Sequence, residues 1–236
     1  MGHIMAGMGT RMPMIIIMDN NTALLRLMTW LSPAFPVGAF SYSHGIERAV
    51  HDGVIGDKVS LQLWLEDLLS HGSLWNDAVL FAETWRNTTH GIDCLDTSEL
   101  AQAMAGSKER HMETMLQGSA FLQAIGHWGH ANSKSIKEMA YPVAVAMVAA
   151  QNGIACQPAL SAFLHAMLSN LIQGAVRLVP LGQSHGVSLM AAVEKDILDV
   201  AERAMSSSLD DLGSAAIISD IMAMQHETQY SRVFRS

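Results

Sequence analysis

Eleven histidines are the first residues in this chain that could do chemistry. His127 and His130 stand three apart, a spacing that brings two imidazoles to one helical face and suits a divalent metal. Gly126 and Gly129 weaken that helix, however, and no neighbouring carboxylate or cysteine completes a ligand shell. A solvated helix end is the plainer reading. In "FSYSHG", Ser43 directly precedes His44, but sequence neighbours rarely hold the geometry that lets an imidazole activate a hydroxyl. Cys94 and Cys156 lie far apart and outside any CxxC arrangement, which favours small buried apolar side chains over a disulfide or a cysteine-built zinc site. No GxSxG, GxxxxGK[ST] or GxGxxG occurs, so the chain lacks a nucleophile elbow and a phosphate cradle. The carboxylate groups "EKDILD" and "LDD" read as exposed helix surface. The expectation is a non-enzyme with no cofactor and no metal site of its own.

Three stretches place polar and aromatic residues where a core does not need them. The first is "SPAFPVGAFSYSHGIE", residues 32–47, in which the two prolines fix φ and stiffen the connection. Phe35 and Phe40 are expected to plug a helical bundle, leaving Tyr42, His44 and Glu47 to face outward, followed by Arg48. The second is "NLIQGAVRLVPLGQSHG", residues 170–186. Here an apolar helix stops at Pro180 with Arg177 in its last turn, favourable through the macrodipole alone, and Gln183 falls in the polar turn that follows. The third is "MQHETQYSRVFRS", where helical periodicity fades after Glu227. Tyr230, Arg232, Phe234 and Arg235 are residue types enriched at binding hot spots. Residues 229–236 are expected to be mobile alone and ordered by a partner.

The elements that must carry these stretches are helical. Half of the residues are hydrophobic and 15% are charged, enough apolar surface for a large core. A formal charge of −8 with only 14 scattered basic residues speaks against nucleic acid. No window offers ~18 uninterrupted apolar residues, so no membrane span is expected. Residues 1–20 read as a vector-derived or disordered leader, and "MPMIII" is too short to span a bilayer. Thr22 could cap a helix through "ALLRLMTWL", and Ser43 with Glu47 roughly forms a capping pair for "HGIERAV". A helix begins at Asp57 or Ser60, and further helical patterns run over 74–89, 94–105, 108–128, 137–151, 158–179, 186–205 and 209–228. "YPVAVAMVAA" alternates briefly, but Pro142 near its start and its alanine content favour a buried helix. No fixed-spacing repeat suggests a solenoid. The sequence predicts an all-α fold, one compact domain of about ten helices over 21–228, then the tail.

The three stretches together, with "ERHMETMLQGSAFL" as a looser fourth, resemble the urease accessory protein UreF family. That resemblance implies an all-α homodimer in the cytoplasm that assembles with the UreD/UreH scaffold and the UreG GTPase. It further implies engagement of apo-urease and help in inserting nickel. Partner contacts are then expected from Tyr42, His44, Glu47, Arg48, Tyr230, Arg232, Phe234 and Arg235. The dimer interface is expected near Arg177 and Gln183, where the proline-broken helix end offers a flat patch. Two other readings stay open. One is a GTPase-activating factor supplying Arg48 or Arg177 in trans; the other is a nickel-binding metallochaperone using His44, His127 or His130.

Overall fold

"YPVAVAMVAA" has no polar side to turn to water, and it lies in the middle of the molecule. In a computed structural model describing residues 18–128 and 138–235, it forms a helix, Tyr141–Gln151, whose residues 141–150 are all buried. A helix that is apolar all round must be covered all round. Three helices do most of this: Ser73–Thr89, Lys108–Ile125 and Cys156–Leu178. In chain order the described helices are α1 Asn20–Trp30, α2 Ile46–His51, α3 Lys58–His71, α4 Ser73–Thr89, α5 Leu95–Ala103, α6 Lys108–Ile125, α7 Tyr141–Gln151, α8 Cys156–Leu178, α9 Gln183–Met205 and α10 Ile217–His226. No strand occurs among the described residues, so the all-α expectation holds.

Local chemistry explains most of the boundaries. Asp19, rather than Thr22, caps α1: its carboxylate accepts from the amides of Asn21 and Thr22, and the Thr22 hydroxyl donates back to it at 2.6 Å. Asp19 and Asn20, inside the 1–20 stretch set aside in the sequence, thus form the start of α1. Asp57 and Ser60 form a reciprocal capping box at α3, and the Ser107 hydroxyl accepts from the Arg110 amide to start α6. Pro142 sits in the first turn of α7, where its missing N–H costs nothing. The expected helix 209–228 is instead a short turn, Leu209–Asp211, followed by α10 from Ile217.

Aromatic edges fill the space under the 32–47 corner. Trp30 meets Phe121 and Trp128 edge-on, with ring centroids 6.4 and 6.1 Å apart, and Phe35 packs 5.6 Å from Phe121. Phe35 thus plugs the bundle as expected. Phe40 does not, and is 68% exposed. By length and composition alone, α8 could cross a membrane, but 56% of its apolar window is buried within this fold.

Two glycines mark contacts too close for any side chain. A Cβ on Gly118 of α6 would lie 1.8 Å from the Met139 carbonyl oxygen, so the Gln117–Gly118 pair lets the chain entering α7 press onto α6. A Cβ on Gly45 would lie 2.8 Å from the Ala223 amide nitrogen, so the corner lies directly against α10. Gly45 also adopts φ 78°, and the preceding His44 adopts φ 49°, the only positive φ of a non-glycine residue among those described. Consecutive left-handed residues turn the chain sharply into α2. Ser43 therefore does not cap that helix as expected; Gly45 holds the N-cap position.

Candidate functional site

The polar residues of α6 recur at 109, 110, 113, 114 and 117, a stripe along one face, and all five are buried. Buried charge needs partners, and the partners here come from the stretches that the sequence singled out. Two adjoining clusters result.

The inner cluster is built around Arg110. Its guanidinium donates to Glu113 Oε2 at 2.6 Å and to Asp77 Oδ2 on α4 at 3.2 Å. His44 Nε2 lies 3.0 Å from Glu113 Oε1 and 2.8 Å from Arg110 Nη1, and Gln117 donates to the same Glu113 oxygen at 3.0 Å. A protonated Nε2 donates to Glu113, and a bare one accepts from Arg110. Burial opposes ionisation of Glu113, but Arg110 and His44 more than offset it and hold the carboxyl at about 2. Burial dominates at Asp77 and raises its pKa despite Arg110. His44 Nδ1 is buried and has no partner among the described residues. The ring borders a cavity of about 100 Å³ beneath α10, which Asn76, Asp77, Ser219 and Asp220 also line.

The outer cluster belongs to the tail. His226, at the end of α10, is fully buried between two carboxylates: Nδ1 stands 2.7 Å from Glu109 Oε2, and Nε2 stands 3.2 Å from Glu47 Oε2. Glu47 also accepts the backbone amides of Val233 at 2.6 Å and Phe234 at 2.9 Å. Glu109 accepts Arg232 on its other oxygen at 2.7 Å. The Phe234 ring then reaches α8, where it lies 3.4 Å from the position a Cβ on Gly174 would take. The Arg177 guanidinium sits 5.2 Å from the ring centroid, in cation–π range. Finally the Arg235 amide donates to the Ser41 carbonyl at 2.7 Å. Corner, α6, the end of α8 and tail converge on one place.

This geometry corrects several expectations. Tyr42, His44 and Glu47 do not face outward: they are 4%, 3% and 6% exposed. The corner bends them inward because the Ser43–Gly45 turn directs the chain against α6 and α10. Burial raises the Tyr42 pKa, aided by Glu113 and opposed by the Arg235 guanidinium beside it. Nor do residues 229–235 extend free of the body. Phe234 is buried, because Glu47 and Glu109 supply the acceptors that a tail read in isolation lacks. Tyr230, Arg232 and Arg235 are exposed, and Arg48 is half-buried in a pair with Asp52. Arg177 and Gln183 are both exposed near the end of α8. His127 is exposed in a short turn after α6, and His130 lies outside the described residues. Among the described residues, no three His, Cys, Asp or Glu side chains form a group able to hold a metal.

Sequence reading missed Asp77, Glu109, Arg110, Glu113, His226 and Gly174 as individual sites. A signal existed for α6: polar residues at i, i+1, i+4, i+5 and i+8 define a helical face as surely as apolar ones do. Nothing in the sequence paired that face with residues more than a hundred positions away.

Comparison with known proteins follows the same outline. The family model for UreF matches residues 55–194. The chain is similar to the urease accessory protein UreF of Mesorhizobium japonicum, 56% identical over 218 residues, covering 92% of this chain and 98% of that protein. It is likewise 56% identical over 219 residues to UreF 1 of Brucella canis, and 52% identical to UreF 1 of Brucella anthropi, with 92% of this chain and 96% of each relative covered.

Proposed function

The chain belongs to the UreF family of urease accessory proteins, and we propose from that premise that it is a non-catalytic maturation chaperone of the cytoplasm. In this reading it assembles with the UreD/UreH scaffold and the UreG GTPase, and helps insert nickel into apo-urease. The observation that carries the reading is an uncovered apolar stripe on α10 and the tail. Ile217, Ile221 and Met224 follow one another at helical spacing and are exposed, Ile218 lies beside them, and Tyr230 and Val233 extend the stripe. A helix with only Ser219 and His226 buried, and four large apolar side chains outward, fits a surface that a partner covers. Arg232 and Arg235 rim the stripe as donors to carboxylates or carbonyls.

With the tail docked on Glu47 and Glu109, scaffold binding adds to an ordered edge rather than ordering a loose one. Co-purification with the scaffold protein tests this. Ile221→Asp with Met224→Asp, and separately removal of residues 229–236, should each abolish capture while circular dichroism stays helical. Retained capture by both variants would move the docking surface elsewhere.

A homodimer about the end of α8 remains part of the proposal. Because Arg177 also covers Phe234, Gln183→Asp is the cleaner probe, and an unchanged mass in light scattering would misplace the interface. Modulation of the GTPase is read as docking. Arg48 is engaged by Asp52 and Arg177 by the Phe234 ring, so GTP hydrolysis by the partner with Arg48→Ala or Arg177→Ala measures whether either is supplied in trans.

A further inference from the structure

The outer cluster has a donor and acceptor count that fixes more than its geometry. All four carboxylate oxygens of Glu47 and Glu109 have hydrogen-bond partners. Glu47 Oε1 accepts the Val233 amide, Glu47 Oε2 accepts the Phe234 amide and stands against His226 Nε2, Glu109 Oε1 accepts Arg232, and Glu109 Oε2 stands against His226 Nδ1. The two amides and Arg232 can only donate, so each of the two ring contacts needs one proton of its own between nitrogen and oxygen. With both carboxylates ionised, as their three fixed donors favour, the ring fills both contacts by donating from both nitrogens. In that state two carboxylates face an imidazolium and Arg232, and the charges balance. With one proton removed, a ring lone pair faces a carboxylate oxygen in a place that water does not reach.

We infer that His226 is a proton-dependent clasp, holding the C-terminal tail while its ring carries both protons and releasing it when one is lost. The route is short, since Glu47, which balances the ring on one side, is also the acceptor for the tail's own amides. Three charged neighbours on the surrounding elements have partners of their own. On α2, Arg48 pairs with Asp52; on α6, Arg110 is held by Glu113 and Asp77; at the end of α10, Glu227 accepts the Lys108 amide. The tail is held on the acid side and freed as pH rises. This clasp is a property of the free chain, whichever protein covers α10.

The test is an NMR titration of the full chain from about pH 5 to about pH 9, spanning the ordinary range of histidine. It follows the ring-nitrogen shifts of His226 together with the exchange-corrected protection of the Val233 and Phe234 amides. The expected result is two protonated ring nitrogens while the tail is protected. The open fraction should then rise with pH by up to about tenfold per unit, the limit for one linked proton. In Glu109→Gln, the amide can accept from Arg232 and donate to a neutral ring, so the same titration should flatten to less than about twofold in all. Loss of the ring proton with no change in tail protection would overturn the inference. So would a steep response that survives in Glu109→Gln, or a ring carrying a single proton throughout.

Discussion

The α4–α7 contact and the contact of α10 and the tail with α2 and α6 hold helices together by different means. At the first, α7 contributes an uncharged, wholly buried surface, and α4 meets it with a helix buried continuously over residues 74–82. At the second, Glu47, Glu109 and Arg232 gather about a fully buried imidazole, and α10 buries only Ser219 and His226 of its ten residues. Apolar burial is non-directional and insensitive to pH. The ionic contact has the reverse properties: it specifies one register, but it depends on every partner being present and correctly charged. The protein uses the first kind where the fold must persist and the second where a segment must stay releasable.

The inner cluster lies between these extremes, and breaking it should have the largest effect. Arg110→Ala would strand Asp77 and Glu113 in the interior and should cost about 3–5 kcal/mol in urea unfolding, as much as a large core truncation. A loss below about 1 kcal/mol would mean that the cluster behaves like surface charge.

Acid should then separate the inner cluster from the apolar seam. The Glu113 carboxyl is held at about 2 against an ordinary 4.5. A depressed carboxyl stabilises the fold above its ordinary value, and that contribution disappears as pH falls through about 2, a total on the order of 3 kcal/mol. Asp77, raised by burial, acts in the opposite sense and softens the slope. Urea midpoints measured down that range should fall for the natural chain and stay flatter in Glu113→Gln.

The tail contact should respond locally. Phe234→Ala should weaken tail docking by about 1.5–3 kcal/mol, read as lost protection of the Val233 and Phe234 amides. The global urea midpoint should move by less than about 0.5 kcal/mol equivalent, because the tail opens without the bundle. A parallel fall in global stability would mean that tail and bundle unfold as one unit. The smallest effect belongs to Arg48→Ala. Its pair with Asp52 is a partly exposed i,i+4 contact, and the expected loss is below about 0.5 kcal/mol.

The sequence disclosed the helices because their cues are local. Period, caps and breakers lie within a few residues of one another, so Asp57 with Ser60, and Pro142 before an alanine-rich run, sufficed to place α3 and α7. Errors arose where a local cue competed with a distant one. Thr22 lost the cap to Asp19 by three positions, and Ser43 lost it to a left-handed glycine pressed against α10. The site was legible as three unusual stretches but not as a contact. Glu47 reads as an exposed first-turn acid until Val233, Phe234 and His226, nearly two hundred residues later, fold onto it. Tail mobility followed from counting the tail's own residues, and the missing terms were acceptors on other helices.

Helix α7 also bears on how the chain survives its own synthesis. An eleven-residue helix is marginal alone in water, and a valine-rich, uncharged run is the kind of segment that aggregates when left uncovered. Two of its three main covers, α4 and α6, precede it in the chain. As it leaves the ribosome, both have already been made, and only α8 is still to come. A circular permutant opening at Tyr141 would reverse that order, sending this valine-rich run out first with nothing to dock against.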